Sequence, residues 1–221
     1  MKENVSFATK THESTKRNYL DRVVRGDKPE CASVARKFSK DYWDGERKYG
    51  YGGYSYDGRW SAVAERIVSH YKLAGKVKIL DVGCGKGFLL HELRKILPES
   101  SVHGIDISSY AIENSIESVR PFLKHGNATS LPFEDKTFDL VISLMTLHNL
   151  YIFDLFKALK EVQRVTKNHS YISVESYRNE VEKANLLNWQ LTCESFYTPE
   201  EWIWIFNECG ITCDYEFLFF T

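Results

Sequence analysis

Three glycines in the segment Asp81-Val82-Gly83-Cys84-Gly85-Lys86-Gly87 follow the apolar run VKILDV and precede a helical pattern. Glycines let the backbone approach a ligand closely, and the N-terminus of a helix offers unpaired N–H groups and a partial positive charge. Open α/β sheets bind ligands at such a strand-to-helix turn. The segment therefore predicts a site for a ligand that carries a carboxylate or a phosphate.

The spacing of this loop separates three classes of ligand site. A phosphate-binding P-loop needs a serine or threonine after its lysine, but Gly87 follows Lys86 here,. A dinucleotide-binding loop needs G-x-G-x-x-G, but Phe88 occupies the third glycine position and Asp81 precedes the first glycine,. The P-loop is thus excluded and the dinucleotide loop is disfavoured, which leaves the pattern D-x-G-x-G-x-G.

Residues 77–175 resemble the class I S-adenosylmethionine-dependent methyltransferases, in particular their small single-domain branch. The resemblance is carried by D-x-G-x-G-x-G, by the strand SVHGID and by the segment GNATSLPFEDKTFDLVISL, in that order. It implies S-adenosylmethionine as cofactor and S-adenosylhomocysteine as product. It also implies a set of cofactor-binding residues: Asp81, Gly83, Gly85, Gly87, Asp106, Ile107, Asn127, Ala128 and Leu144.

The resemblance assigns each part of this set to a part of the cofactor. In this family the glycine loop holds the methionine end, and the acid that ends the second strand, here Asp106, accepts hydrogen bonds from the ribose diol. Ile107 is expected against the adenine, with Asn127 and Ala128 at the adenine edge. Asn127 departs from the family pattern, which has an aspartate there, but its amide can still accept a hydrogen bond from the adenine amino group.

Candidates for the chemistry follow the fourth and fifth predicted strands. Since such a cofactor already activates its methyl group, the protein must chiefly position a nucleophile and exclude water. His148, just beyond FDLVISL, is the candidate base, and Asn149 is a candidate for orienting the substrate,. A packed histidine that starts a helix is the alternative. Glu175, Tyr177 and Arg178 follow YISVES and are candidates for contact with the substrate, the alternative being solvated side chains at a strand end.

The segment KYGYGGYSYDGRW alternates glycines with tyrosines. It predicts a lid whose aromatic faces stack on the cofactor or cover its sulfonium, and whose arginine pairs with a carboxylate. A packed N-terminal arm is the alternative. The residues concerned are Tyr49, Tyr51, Tyr54, Tyr56, Arg59 and Trp60.

The alternation of apolar runs and helical patterns predicts a Rossmann-like, doubly wound α/β fold. We expect a mostly parallel sheet of six or seven strands with helices on both faces. Either one strand of the family's seven is missing or QLTCESF supplies it. Residues 1–60 are predicted to form an N-terminal helical and lid extension, with two short helices outside the main sheet, and residues 61–221 the methyltransferase domain. The predicted helices are 61–70, 88–97, 110–119, 153–165 and one that begins after Thr198.

Composition limits the classes of partner. The chain has 221 residues with 29 Lys and Arg against 30 Asp and Glu, a net charge of -1, so no general field attracts a nucleic acid,. Its five cysteines have no C-x-x-C spacing, so neither a disulfide framework nor a metal site is predicted,. No signal peptide or membrane-spanning run is evident, which predicts a cytoplasmic protein without a membrane partner.

The expected function is methyl transfer to a small-molecule acceptor through oxygen or nitrogen, for example on a sugar or another metabolite. The intact cofactor segments and the aromatic lid favour it. Two alternatives stay open. A methyltransferase for protein or RNA needs a basic or extended docking face, and a non-methylating binder can use the same fold. The sequence does not fix the oligomeric state.

Overall fold

The computed structural model describes residues 3–13 and 17–221. Six strands form one sheet in the order β3-β2-β1-β4-β5-β6, and every neighbouring pair is parallel. The strands are β1 (Lys78–Val82), β2 (Ser101–Asp106), β3 (Leu123–His125), β4 (Phe138–Leu144), β5 (Thr166–Glu175) and β6 (Asp214–Leu218). The predicted Rossmann-like fold class is confirmed, with six strands.

Helices precede, connect and cover these strands. The first four are α1 (Thr9–Glu13), α2 (Asp21–Val24), α3 (Lys28–Ala35) and α4 (Lys40–Asp44). The others are α5 (Ser61–Tyr71), α6 (Phe88–Ile96), α7 (Ser109–Glu113), α8 (Ile152–Val165), α9 (Glu180–Trp189) and α10 (Pro199–Glu208). Short 3-10 turns lie at Arg47–Tyr49, Arg120–Phe122 and Leu147–Asn149.

Both faces of the sheet are buried. Successive side chains of a strand point to opposite faces, so Ile79 packs in the cluster of α5 and α6 while Leu80 packs in the cluster of α8 and α10. In β4, Leu140 and Val141 divide between the same two clusters. Two covered faces explain why the central strands are almost continuously apolar.

The order of the strands places a crevice beside β1. Because β1 lies between β2 and β4, the chain first winds toward one edge of the sheet and later returns to the other side of β1. A sheet of this kind binds ligands at the carboxyl ends of its strands where the winding reverses. The glycine loop follows β1 there, Asp106 ends β2 and Leu144 ends β4.

The N-terminal segment lies along the edge of the sheet. Asn4 forms a parallel bridge with Tyr215 of β6, and the Tyr215 N–H donates to the Glu3 carbonyl at 2.9 Å. The two short helices predicted outside the sheet correspond to α2 and α3, whereas α1, α4 and the pairing of residues 3–5 with β6 were not predicted. A pairing this short has no periodic pattern by which the sequence could indicate it.

The segment QLTCESF does not form a strand, so that alternative for completing the sheet is wrong. The N–H groups of Glu194 and Ser195 donate to the His148 carbonyl at 3.0 and 2.9 Å. These hydrogen bonds fix the segment to the turn after β4, away from the sheet edge that residues 3–5 occupy.

Two helices also differ from the prediction. The helix expected over 110–119 ends at Glu113, because the Ile116 N–H donates to the Lys86 carbonyl at 3.0 Å instead of continuing the helix. Helix α9 was not predicted, although the side chain of Asn179 caps it by accepting from the Glu182 N–H at 3.0 Å,.

The predicted start of α10 is confirmed. The Thr198 side chain accepts from the Glu201 N–H, and the Glu201 carboxylate accepts from the Thr198 N–H at 2.7 Å, which makes a capping box,. Within the described ranges, no helix is long and apolar enough to cross a membrane.

A buried carboxylate on β6 fastens the N-terminal segment to the sheet. Glu216, 1% exposed, accepts from the Phe7 N–H at 3.0 Å and from the Thr9 N–H at 2.6 Å. It also accepts from the Ala8 N–H at 2.9 Å and from the hydroxyl of Tyr171. One side chain thus satisfies three N–H groups at the start of α1.

Replacing Glu216 should loosen this attachment. We expect Glu216→Ala to reduce the free energy of unfolding by about 3 kcal/mol, because buried N–H groups lose their acceptor. Urea unfolding measures the loss, and amide hydrogen exchange at Phe7–Thr9 should quicken. Glu208→Ala, an exposed position on α10, is the control. Equal stability of the two variants would contradict the anchoring role.

Candidate functional site

A cavity of about 220 Å³ opens at the carboxyl ends of β1, β2 and β4. We call it the first cavity. Most of the residues that the resemblance assigned to the cofactor line it, namely Asp81, Gly83, Gly85, Asp106, Ile107, Asn127, Ala128 and Leu144. Separate segments of the sequence therefore converge on one site.

The loop after β1 needs glycine at two positions in this cavity. Gly83 and Gly85 have φ angles of +85° and +52°. A Cβ atom on Gly83 would lie 2.0 Å from Thr146 Oγ1, and one on Gly85 would lie 2.9 Å from the Trp43 ring. Because Gly83 has no side chain, the turn after β4 can approach it closely. In the same way, Gly85 leaves room for the Trp43 indole of the N-terminal extension.

Gly87 does not line the first cavity. Its φ is +76°, and a Cβ atom at this position would lie 2.8 Å from the Val119 side chain and 3.0 Å from that of Leu123. Gly87 is also the residue that precedes α6. Close packing beside this helix therefore explains the glycine, and the prediction of a cofactor contact at Gly87 is not supported by its position.

Asp81 contributes a buried carboxyl group to the first cavity. It is 4% exposed, and its Oδ1 has no hydrogen-bond partner among the residues that the structure describes. Burial, and then the charge of Asp106, raise the pKa of Asp81 to about 7. Since a buried polar atom is costly without a partner, this carboxyl group is suited to a ligand that donates hydrogen bonds.

Asp106 connects the glycine loop to the end of β2. Its Oδ2 accepts from the Gly85 N–H at 2.7 Å and its Oδ1 from the Ser108 N–H at 2.8 Å. Burial raises the pKa of Asp106, while these two N–H groups oppose the shift. An ionised carboxylate offers about four acceptor positions, so two bonds leave capacity for a diol.

The far end of the first cavity is formed by Ile107, Asn127 and Ala128. Ile107 is 50% exposed, which leaves an apolar surface for a flat ring. Asn127 Oδ1 accepts from the Thr129 N–H at 3.0 Å, which fixes the direction of its amide. The asparagine in place of the family's aspartate therefore also closes a local turn.

Aromatic side chains from the N-terminal extension cover the first cavity. Those predicted are Tyr51, Tyr54 and Trp60; Phe38, Tyr42 and Trp43 were not predicted. The Trp43 ring stacks on Tyr51 at 5.4 Å between centroids, and the Tyr51 and Tyr54 rings lie 4.4 Å apart. The missed aromatics belong to FSKDYWDG, which continues the aromatic-rich sequence upstream of Tyr49.

An ion pair holds this aromatic cover on the glycine loop. Lys86 Nζ lies 2.7 Å from Asp44 Oδ2 and donates to the Tyr54 carbonyl at 2.8 Å. The Tyr110 hydroxyl donates to the same Asp44 oxygen at 2.8 Å. Lys86, 6% exposed, thus connects the glycine loop to the N-terminal extension.

A second cavity of about 370 Å³ adjoins the first. Five residues line both cavities, and we call them the shared lining: Tyr42, Tyr51, Tyr54, Trp60 and Met145. Further lining comes from Arg17, Arg47, Arg59, Glu175, Trp189 and Gln190. The site therefore consists of two adjacent cavities with a mainly aromatic shared lining.

Arginines give the second cavity a cationic side. The guanidinium carbons of Arg17 and Arg47 lie 5.7 and 5.3 Å from the centroid of the Trp189 ring,. Arg59 was predicted to pair with a carboxylate. It forms an ion pair with Asp57 at 2.5 Å, so this partner belongs to the protein itself.

His148 and Glu175 form a buried pair behind the second cavity. The Glu175 N–H approaches His148 Nδ1 at 3.4 Å, so the neutral ring carries its proton on Nε2, which lies 3.4 Å from Glu175 Oε2,. Burial and the neighbouring His12 lower the pKa of His148 to about 3. His148 lines neither cavity, and its role as a base stays a prediction.

Several other predicted residues lie elsewhere. Tyr49 packs against the cluster of Cys31, Ala35 and Leu191, and Tyr56 donates to Glu92. Neither tyrosine lines the first or the second cavity, and the same holds for Tyr177 and Arg178. Arg178 pairs with Glu182, and Lys183 lies over the Tyr177 ring. By contrast, Asn149 lines the first cavity and Glu175 the second.

Comparison with known proteins identifies the domain. The family model described as "Methyltransferase domain" matches residues 73–210. This range contains the glycine loop, strands β1 to β5 and helices α6 to α10.

Relatives share the central part of the chain. The rat protein "Arginine-hydroxylase NDUFAF5, mitochondrial" is 35% identical over 109 residues, which cover 48% of this chain and 30% of the relative. "Demethylmenaquinone methyltransferase" of Staphylococcus aureus is 38% identical over 110 residues, which cover 47% of this chain and 44% of the relative. The chain thus spans less than half the length of these relatives.

A solved structure agrees with the fold. Geranyl diphosphate C-methyltransferase from Streptomyces coelicolor, solved with S-adenosyl-L-homocysteine, has a TM-score of 0.55 and 18% identity, covering 67% of this chain and 59% of that one. At this identity the likeness concerns the fold. Together with the family model, which spans more than half of the residues, it shows that the chain belongs to the class I S-adenosylmethionine-dependent methyltransferase superfamily.

Proposed function

We propose that the first cavity binds S-adenosylmethionine and that the second cavity binds the small molecule to which the methyl group is transferred. The residues that line both cavities carry this proposal, because they place a cofactor in one cavity next to an acceptor in the other. When bound, S-adenosylmethionine supplies a methyl group on a positively charged sulfur.

The donors and acceptors in the first cavity suit an adenosyl amino acid. Asp81 Oδ1 and Asn149 Oδ1 are buried and have no hydrogen-bond partner within the described part of the chain. Both are acceptors that an amino-acid ammonium group satisfies. Asp106 retains acceptor capacity for the ribose hydroxyls, and Ile107 offers a surface for the adenine ring.

The aromatic shared lining surrounds the place where the two reacting groups would meet. Tyr42 and Tyr51 are packed edge to face at 5.3 Å, and Trp60 Nε1–H donates to the Tyr54 hydroxyl at 3.1 Å. Their ring faces attract a positively charged sulfur, and their bulk excludes water. Positioning of this kind contributes roughly 7 to 11 kcal/mol in well-aligned reactions.

The size of the second cavity supports a small acceptor. A volume of about 370 Å³ is in the range of pockets for metabolites. A protein or RNA acceptor remains the alternative. Calorimetry with S-adenosylmethionine and S-adenosylhomocysteine tests the cofactor first, with expected dissociation constants on the order of micromolar. No binding of either compound by folded protein would contradict the proposal.

Asp106 supplies the most direct variant. Asp106→Ala removes the acceptor for the ribose hydroxyls and for the Gly85 N–H, so we expect both ligands to bind about 10- to 100-fold more weakly by calorimetry. Asp154→Ala, on the exposed side of α8, should bind as the wild type does. Unchanged affinity in Asp106→Ala would contradict the ribose contact.

Asp81 predicts a pH dependence of cofactor binding. Its pKa is raised to about 7, and an ammonium group binds the ionised carboxylate more strongly than the neutral acid. Affinity for S-adenosylhomocysteine should therefore rise as pH increases through about 7 and level off above it.

The matched variant is Asp81→Asn, which keeps the shape of the side chain but cannot ionise. It should bind more weakly and lose this part of the pH dependence in calorimetry on both sides of the Asp81 pKa of about 7. An identical pH profile in the two proteins would show that another group is responsible.

A further inference from the structure

The second cavity contains an acidic side chain that neither the fold nor the cofactor requires. Glu175 ends β5, lines the second cavity and is 4% exposed. Its Oε1 accepts from the Gln190 side chain, whereas its Oε2 has no hydrogen-bond partner among residues 3–13 and 17–221. A buried carboxyl oxygen in this position is suited to a ligand's hydrogen-bond donor.

The surroundings hold this carboxyl group in place. Gln190 fixes one oxygen, and the neutral His148 ring directs Nε2–H toward the other at 3.4 Å, too long for a good hydrogen bond,. The Trp202 Nε1–H donates to the Glu175 carbonyl at 3.1 Å. His148 therefore contacts the Glu175 carboxyl group from outside both cavities without a hydrogen bond that satisfies Oε2.

The charge around the second cavity limits the kind of donor. Arg17 interacts electrostatically with both Glu175 and Arg47, and the two guanidinium groups lie on the same Trp189 ring. Positive charge on this side disfavours a cationic acceptor and favours a neutral or anionic one. Among common methyl acceptors, a hydroxyl compound both donates a hydrogen bond and carries no positive charge.

We propose that the second cavity takes a neutral or anionic hydroxyl compound as acceptor. The carboxylate of Glu175 accepts the hydrogen bond of the hydroxyl group to be methylated, and it takes up that proton as the C–O bond forms and the methyl–sulfur bond breaks. This inference rests on the proposed function, since it names the acceptor class of the same site. It adds a substrate-binding role for Glu175 and a selectivity for hydroxyl over ammonium groups.

The groups that face Glu175 determine its ionisation. Burial raises the pKa of Glu175 to about 8, against the hydrogen bond from Gln190 and the charge of Arg17. The other titratable groups that interact with it are Tyr42, Tyr51, His148 and Cys193. Since a carboxylate accepts a stronger hydrogen bond than a carboxylic acid, hydroxyl binding should strengthen as pH rises through about 8.

Matched probes test the proposal without knowledge of the natural acceptor. Protein saturated with S-adenosylhomocysteine is titrated with benzyl alcohol and benzyl methyl ether, and with meta-hydroxybenzoate and meta-methoxybenzoate. The NMR signal of the Gln190 side-chain amide, next to Glu175, reports binding. We expect the hydroxyl member of at least one pair to bind about tenfold more tightly than its ether, as one charge-assisted hydrogen bond allows.

Three variants separate the role of Glu175 from general effects. Glu175→Gln should reduce the preference for the hydroxyl compound, and Glu175→Met, which lacks both oxygens, should abolish it. In both variants the binding of the hydroxyl compound should no longer strengthen as pH rises. Glu182→Gln, another glutamate that is 4% exposed but lines neither cavity, should retain the wild-type preference.

Each other result overturns the inference. These results are equal affinity within both pairs, a preference that Glu175→Met keeps, tighter binding of benzylamine than of benzyl alcohol, or no probe binding while S-adenosylhomocysteine binds. Calorimetry on the same samples distinguishes the inference from the proposed function. If S-adenosylhomocysteine itself fails to bind, the proposed function is wrong, and the inference with it.

Discussion

The hydrogen bond from the Gly85 N–H to Asp106 Oδ2, 2.7 Å long, connects the two parts of the sequence on which the site depends. It holds the turn after β1 against the end of β2, in the crevice beside β1 where the winding of the sheet reverses. The turn can adopt this shape because Gly83 and Gly85 have positive φ angles. The same contact leaves Asp106 with further acceptor capacity, so one carboxylate both shapes the first cavity and faces it.

The N-terminal extension covers part of this crevice. Glu216 fastens the start of α1 to the sheet, and the Lys86–Asp44 pair fastens the aromatic residues to the glycine loop. Aromatic side chains of the extension then line part of the first cavity, and several of them also line the second. The extension thus contributes much of the acceptor side of the site, whereas the loops that follow the central strands form the cofactor side.

Most of the cofactor side could be predicted from the sequence, because its signals are local. A glycine loop, an acid at a strand end and apolar runs of strand length each have a pattern that a single segment displays. The acceptor side could be predicted only in part. Arg17 and Trp189 meet through a tertiary contact between distant segments, and His148 points to Glu175 rather than into a cavity. No spacing within one segment indicates such contacts.

A crystal structure of the protein with S-adenosylhomocysteine tests the central claim most directly. We predict the ribose hydroxyls on Asp106, the ammonium group near Asp81 and Asn149, and the sulfur facing the residues that line both cavities. A ligand bound with its ribose away from Asp106, or with its sulfur facing away from those residues, would contradict this arrangement of cofactor and acceptor.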